Sequence, residues 1–373
     1  MARGDLMDKY GIETLNNYAE IDEYLMKMAA DEELEGALIP FNAQGNQPWM
    51  IFNLFASEWG WGAVGTLSMA EHIYYDTDEK YQTMFKAIDT PEVKEFSEIV
   101  KKWYDNGVFS KSILSNETSA EESFKVGKSG FAWTSSPSSA NVVYKDLQKD
   151  ERTKNYDVRF YSLYSRQQRM YNYMNCAVAV SAKSKKKAQA LEVLDAIYAD
   201  EKLYNLLLNG EEGVHYRVTD DGFEPIETKK EYMAPGLGIK NEAYDFQTKF
   251  VYDYADELVE ELANKTIYDP LVNCPIMTSD EITIIESKLD EVYANYTTSR
   301  TYGVVPDVDK AIADEKAALE AAGLDAYITH AQKQVDQYIK DNPEFNERYK
   351  ESVAAVRAYN KKHPGKTNPK DFK

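Results

Sequence analysis

Residues 171–216 read YNYMNCAVAVSAKSKKKAQALEVLDAIYADEKLYNLLLNGEEGVHY, and this stretch decides the fold class. Residues 173–181 form an apolar run of strand length, the signature of a strand buried on both faces. Lysines 183, 185, 186 and 187 then mark a solvated turn, after which Ala190, Leu194, Ile197, Leu203 and Leu207 recur at helical spacing over 186–209. Asp200 is placed to restart that helix after a kink. Residues 213–222, with Gly213 and an Asp221-Gly222 pair, read as a short hairpin. A buried strand feeding a long helix is the repeating step of an α/β sheet rather than of a bundle or a sandwich.

The flanks agree with this class. On the N-terminal side, Leu15, Tyr18, Ile21, Leu25 and Met28 make a helix face that opens at Thr14. Residues 38–55 are apolar, broken by Gly45 and Pro48, and lead to a Gly- and Trp-rich loop at 60–65. Thr90-Pro91 starts a helix with the stripe Val93, Phe96, Val100 and Trp103, ended by Asn106-Gly107. Further helices fit 120–126 and 136–150, and strands fit 131–136 and 156–163. Beyond Glu242 the pattern is helical: a capping box at Thr278 and Glu281, a helix capped by Asp307 and ended by Gly323, a stripe from Leu324 to Tyr338, and a polar helix opened by Asn342-Pro343.

Composition narrows the function. The 373 residues carry 63 acids against 43 Lys and Arg, a net charge of −20, which repels nucleic-acid backbones. No run reaches the ~18 apolar residues of a membrane span. The opening MARGDLMDKYGIETL has no export signal. The two cysteines, Cys176 and Cys274, sit in no metal or redox motif, and their pairing stays open. None of the four histidines has a partner at metal-ligand spacing. No phosphate loop, nucleophile elbow or dinucleotide fingerprint is present, so the sequence predicts no cofactor, no metal and no catalytic residue; Glu58, beside Trp59, is the one acid a glycosidase reading would use.

Aromatic content points elsewhere. The chain holds 28 Tyr, 14 Phe and 5 Trp. Trp49, Trp59, Trp61 and Trp133 fall in or beside loop-like stretches, near Asn46, Gln47, Glu58 and Asn172, whereas Trp103 lies on a helix stripe. A sugar ring has an apolar C–H face and a hydroxyl rim, so flat rings among amides and carboxylates suit it. The opposing reading is that loop indoles cap the core.

The stretch 171–216 also resembles the extracellular solute-binding proteins (family 1) of carbohydrate ABC importers, in the lipoprotein branch that carries a DUF3502 region. The strand, lysine-rich turn and helix at 178–184 and the GEEGVHY at 210–216 carry the resemblance. DLMDKYGIETLNNYAEIDEYL at 5–25, FKVGKSGFAWTSSP at 124–137 and VDKAIADEKAALEAAGLDAYITHAQKQVDQYI at 308–339 extend it. The resemblance implies a two-lobe, periplasmic-binding-protein-like (type II) α/β architecture, with residues 1–165 mainly the second lobe, 166–215 returning to the first, and 216–373 a mostly helical DUF3502-like region. It implies capture of an oligosaccharide or related small solute in an aromatic-lined interlobe cleft, without chemistry, at the outer face of the membrane, for ABC permease subunits. The expected ligand-binding residues are Trp49, Trp61, Trp133 and Tyr171, with Trp59, Tyr173 and His215 behind them. Two departures stand out. The chain starts near the segment that family members reach only after a signal, a lipidated Cys and most of one lobe, so the first lobe reads as incomplete. NCPIMTS at 273–279 also replaces the family's usual stretch. The alternative reading is a remnant that needs a partner chain or has lost ligand capture.

Overall fold

The computed structural model describes residues 1–63, 72–77, 83–134, 136–162, 168–169, 178–219, 222–226, 241, 243–246 and 252–364. It is a helix-rich α/β chain in two units. The larger joins Met1–Met170 to Tyr252–Lys373, and the smaller is Tyr171–Val251.

The larger unit is built on a four-stranded sheet in the order Ile39–Phe41, Ser129–Phe131, Ala2–Arg3, Val158–Arg159. The first pair is parallel and the other two are antiparallel. A separate antiparallel meander joins Trp61–Gly62, Ile73–Asp76 and Met84–Lys86, with Trp61 opposite Asp76 and Tyr74 opposite Phe85. Helix Tyr18–Ala29 packs on the strand Ile39–Phe41 and on the helices Pro48–Trp59 and Pro91–Asp105, and Pro48–Trp59 packs on the strand Trp61–Gly62. Pro48 and Pro91 each open their helix where a missing N–H costs nothing. The Pro91–Asp105 helix buries Val93, Phe96, Val100 and Trp103. Phe96 stands edge-on to Phe52 at 5.0 Å and to Phe55 at 4.9 Å between ring centres.

The C-terminal helices complete this unit. Asp280–Val292 runs on through a π-helical turn, Tyr293–Thr297, into Thr298–Thr301. That last turn packs against both Pro48–Trp59 and Pro91–Asp105. Gly303 follows it at φ +68°, where a Cβ would lie 2.3 Å from the Val100 carbonyl oxygen, so only glycine allows this approach. Helix Val308–Ala322 is capped by Asp307, and helix Leu324–Asp341 packs on the strand Met84–Lys86. Pro343–Lys362 is the final helix.

The smaller unit has a thin core. Helices Lys187–Ala199 and Glu201–Leu208 meet at Asp200, whose carboxylate accepts the Lys202 and Leu203 N–H groups. Ile197 and Tyr204 are buried between them, with Leu194, Leu203 and Leu207 half-buried around. Tyr216–Thr219 pairs antiparallel with Gly222–Pro225, and Tyr216, Phe223 and Phe246 gather their rings within 5.6 Å.

Several local expectations change. The helix expected to open at Thr14 opens at Asn17, whose side chain accepts the Glu20 N–H, while Thr14 donates to the Glu20 carboxylate. The capping box expected at Thr278 is shifted by one: Ser279 accepts the Ile282 N–H. The strand read at 131–136 is Ser129–Phe131 and ends before Trp133. Of the strand read at 156–163, Val158–Arg159 alone pairs among the described residues. Of the strand read at 173–181, residues 173–177 lie outside the described residues; 178–181 are not strand, and Val178 is exposed. An apolar run shows that a segment seeks burial, not which face will provide it.

Candidate functional site

The indoles expected to bind solute lie in the larger unit, and the local sequence explains their placement. Trp49 is the second residue of Pro48–Trp59 and Trp59 is the last. Ten residues separate them, about 15 Å along the axis at the usual helical rise. Gly60 then takes the left-handed conformation, φ 82°, and turns the chain into the strand Trp61–Gly62. That turn folds Trp61 back on Trp59, their ring centres 4.7 Å apart at 55°. Trp61 also meets Phe85 at 5.0 Å and Tyr74 at 5.6 Å across the meander, and Phe52 backs both indoles. Trp49, Trp59 and Trp61 are each half-buried.

Trp133 follows the sheet strand Ser129–Phe131 and is also half-buried, edge-on to Phe41 at 6.0 Å. From Phe41 a chain of ring contacts runs through Phe109 and Trp103 to Phe55 and so to Trp59. Buried rings therefore back both the Trp59–Trp61 pair and Trp133. Ring contacts of this kind add about 0.5–1.5 kcal/mol each beyond burial and hold indoles in fixed orientations. Trp103 itself is buried, and its Nε1–H donates to Asp22 at 2.7 Å.

Polar groups sit beside these rings. Glu58 accepts the Tyr18 N–H at 2.9 Å. Tyr18 stacks on Phe55 at 4.7 Å and donates to Glu95; burial first, and that carboxylate second, push its hydroxyl up to about 12. Glu58 is thus held as the acceptor for the first turn of Tyr18–Ala29, a structural duty. Asn42 donates to Ser123 and receives a hydrogen bond from Asn116, which places amides beside Phe41. Asn46 is exposed and Gln47 half-buried at the start of the Trp49 helix.

Tyr171 and Tyr173, with the neighbouring Asn172, lie outside the described residues. His215 is in the smaller unit, where Nδ1 accepts the Glu211 N–H at 2.9 Å and the ring lies over Gly210, at φ +85°. Cys274 is a free, buried thiol whose burial pushes it up to about 11. Among the described residues, no three His, Cys, Asp or Glu side chains are grouped to hold a metal ion.

Two features escaped the sequence. One is a groove of about 670 Å³ between Met84 and the helix face carrying Ile328, Gln332, Asp336 and Lys340. The other is a buried ion pair, Arg300 Nε to Glu315 Oε2 at 2.6 Å, with Thr297 donating to the same carboxylate. Burial alone would raise the Glu315 carboxyl, but the Arg300 charge and these hydrogen bonds hold it below its ordinary value. No hydrophobic periodicity marks either: the groove joins segments more than two hundred positions apart, and the ion pair joins polar residues of two neighbouring helices.

Comparison with known proteins fits this architecture. Residues 280–340 match the family described as a domain of unknown function (DUF3502). The chain is similar to the N-glycan transport solute binding protein NgtS of Streptococcus pneumoniae: 17% identity, 91% of this chain and 72% of that one covered, TM-score 0.68. It is similar to the alginate-binding protein AlgQ2 at 16% identity, with 90% and 71% covered and a TM-score of 0.59. A human-milk-oligosaccharide-binding solute-binding protein of an ABC transporter from Bifidobacterium longum infantis gives 15%, 90%, 73% and 0.56. No curated protein sequence matches the chain. The chain therefore has the α/β fold of two-lobe solute-binding proteins and carries a DUF3502 region.

Proposed function

We propose that this chain is the solute-binding component of an ABC importer, which holds an oligosaccharide by stacking on half-buried indoles and releases it unchanged. The observation that carries the reading is the fold it shares, over about nine-tenths of its length, with proteins solved as carriers of N-glycan, alginate and milk oligosaccharides. Half-buried indoles support it from the residues up. The Trp59–Trp61 pair offers a rigid apolar surface held by Phe52, Tyr74 and Phe85, and Trp49 and Trp133 are further half-buried indoles of the same unit. Tyr171, Tyr173 and His215 stay candidates by resemblance. Nothing in this reading makes or breaks a covalent bond, and Glu58 already serves a backbone N–H. Delivery to permease subunits at the outer membrane face completes the proposal; among the described residues no helix is long and apolar enough to cross a membrane.

The test is titration of the purified chain with neutral and acidic oligosaccharides, followed by tryptophan fluorescence and melting temperature. Saturable binding that raises the melting temperature is expected. Trp133→Ala is expected to weaken it tenfold or more. An unchanged titration in that variant removes Trp133 from the site.

One observation favours a second reading, in which a partner chain is needed. The smaller unit leaves Leu191 58%, Val193 59% and Leu206 53% exposed, on helices apolar on more than one face. Self-association or aggregation on size exclusion, together with indifference to every sugar, would favour it.

A further inference from the structure

His72 lies one residue before the strand Ile73–Asp76 and is 1% exposed. Among the described residues, neither of its ring nitrogens has a hydrogen-bond partner. A buried imidazole without a partner is costly and demands an explanation. Its backbone carbonyl accepts the Ala87 N–H, which locks it into the meander that carries Trp61. Its ring stands edge-on to Tyr293 at 5.9 Å, at the first residue of the π-helical turn. Such turns interrupt a regular helix and often mark functional positions.

The charged groups that act on His72 come from the facing elements: Arg300 from Thr298–Thr301 and Glu315 from Val308–Ala322, both buried and paired with each other. Tyr293 is the titratable ring in contact. Lys316 and Lys86 reach Asp89, and Lys86 also reaches Asp325, so those charges are paired among themselves. Among the described residues, the buried charges that act on His72 are one cation and one anion, Arg300 and Glu315, while His72 is neutral. A proton on His72 adds a second buried cation with, among the described residues, no second buried carboxylate acting on it, and an unbalanced buried charge opens packing.

We propose that His72 is a proton-operated latch between the Trp61 meander and the helical layer at 293–322: neutral, it permits the seam to close, and protonated, it loosens it. The inference is independent of which solute is bound. Burial, aided by the Arg300 charge and opposed by Glu315, lowers His72 to about 4 from its ordinary 6.5. The sign follows by linkage. The unfolded chain takes up the proton first, so stability is full above about pH 6.5 and falls as pH drops toward 4, about tenfold in the folding constant per pH unit.

Proton NMR of the intact chain tests this, since it has only four histidines. The His72 resonance, assigned by its loss in His72→Phe, is expected to titrate near pH 4; titration near 6.5 overturns the proposal. Protection factors at 73–76 and 293–301, taken against the intrinsic exchange rate at each pH, are expected to fall together between pH 7 and 5 in the wild type and to change much less in His72→Phe. An equal fall in both chains overturns it. If the Phe variant does not fold, the wild-type resonances, assigned through their backbone, still decide.

Discussion

The two units bury their apolar residues differently. The larger unit interlocks aromatic rings from Tyr18–Ala29, Pro48–Trp59, Trp61–Gly62, Ile73–Asp76 and Pro91–Asp105 around Phe52, Phe55 and Phe96, and Arg300, paired with buried Glu315, ties the C-terminal helices to Ser97 of Pro91–Asp105. The smaller unit centres its helix pair on Ile197 and Tyr204 and leaves Leu191, Val193 and Leu206 in solvent. The same kind of apolar helix gives a stiff scaffold in one case and a sparsely supported one in the other. The difference is the number of long-range partners, not the composition. Stiffness matters for the proposed function, because an aromatic wall binds well when its rings are already held in place.

Four experiments sharpen or break this contrast. The largest effect is expected from Glu315→Ala, which strands Arg300 as a buried, unpaired charge. It should cost the larger unit about 3–5 kcal/mol in urea unfolding. A loss no greater than that of a surface change would mean the pair is solvated. Ile197→Ala should cost about 2 kcal/mol, felt as local loosening by hydrogen exchange within 187–208 with the larger unit's transition unmoved. A single shared shift in both variants would show that the units unfold together and that the contrast has no energetic meaning. Trp61→Ala should weaken solute binding about tenfold, near 1.4 kcal/mol. Loss of fold rather than of affinity would reassign this indole to the core. The smallest effect is expected from Asp307→Ala, which removes the acceptor of the Lys310 N–H at the start of Val308–Ala322. About 1 kcal/mol should go from thermal stability, with binding unaltered.

Much of this was legible in the sequence where the signal is local. Asp200 restarts a helix, Pro91 opens one, Asp307 caps one and Gly323 ends one, each because a cap acts within a few residues. The stripe Leu324, Tyr327, Ala331 and Val335 is buried as its spacing requires. The fold class and the DUF3502 resemblance followed from such segments in order. Long-range facts were not legible. That the chain returns to the larger unit at Tyr252 depends on contacts such as the stacking of Tyr252 on Phe160, about ninety positions earlier. The indoles were visible as candidates, but the Gly60 turn that folds Trp61 onto Trp59 and the rings of Tyr74 and Phe85 that hold it were not. His72 drew no notice beyond lacking a metal-ligand spacing, because its neighbours Tyr293, Arg300 and Glu315 are more than two hundred positions away.

The measurement that bears most directly on the whole account is calorimetric titration of the full chain with a panel of oligosaccharides, followed by recovery of the sugar. Saturable binding of at least one glycan, weakened tenfold or more by Trp61→Ala or Trp133→Ala, with the glycan recovered uncleaved, is the predicted result. Heat of binding absent for every glycan, or recovery of shortened products, would contradict it.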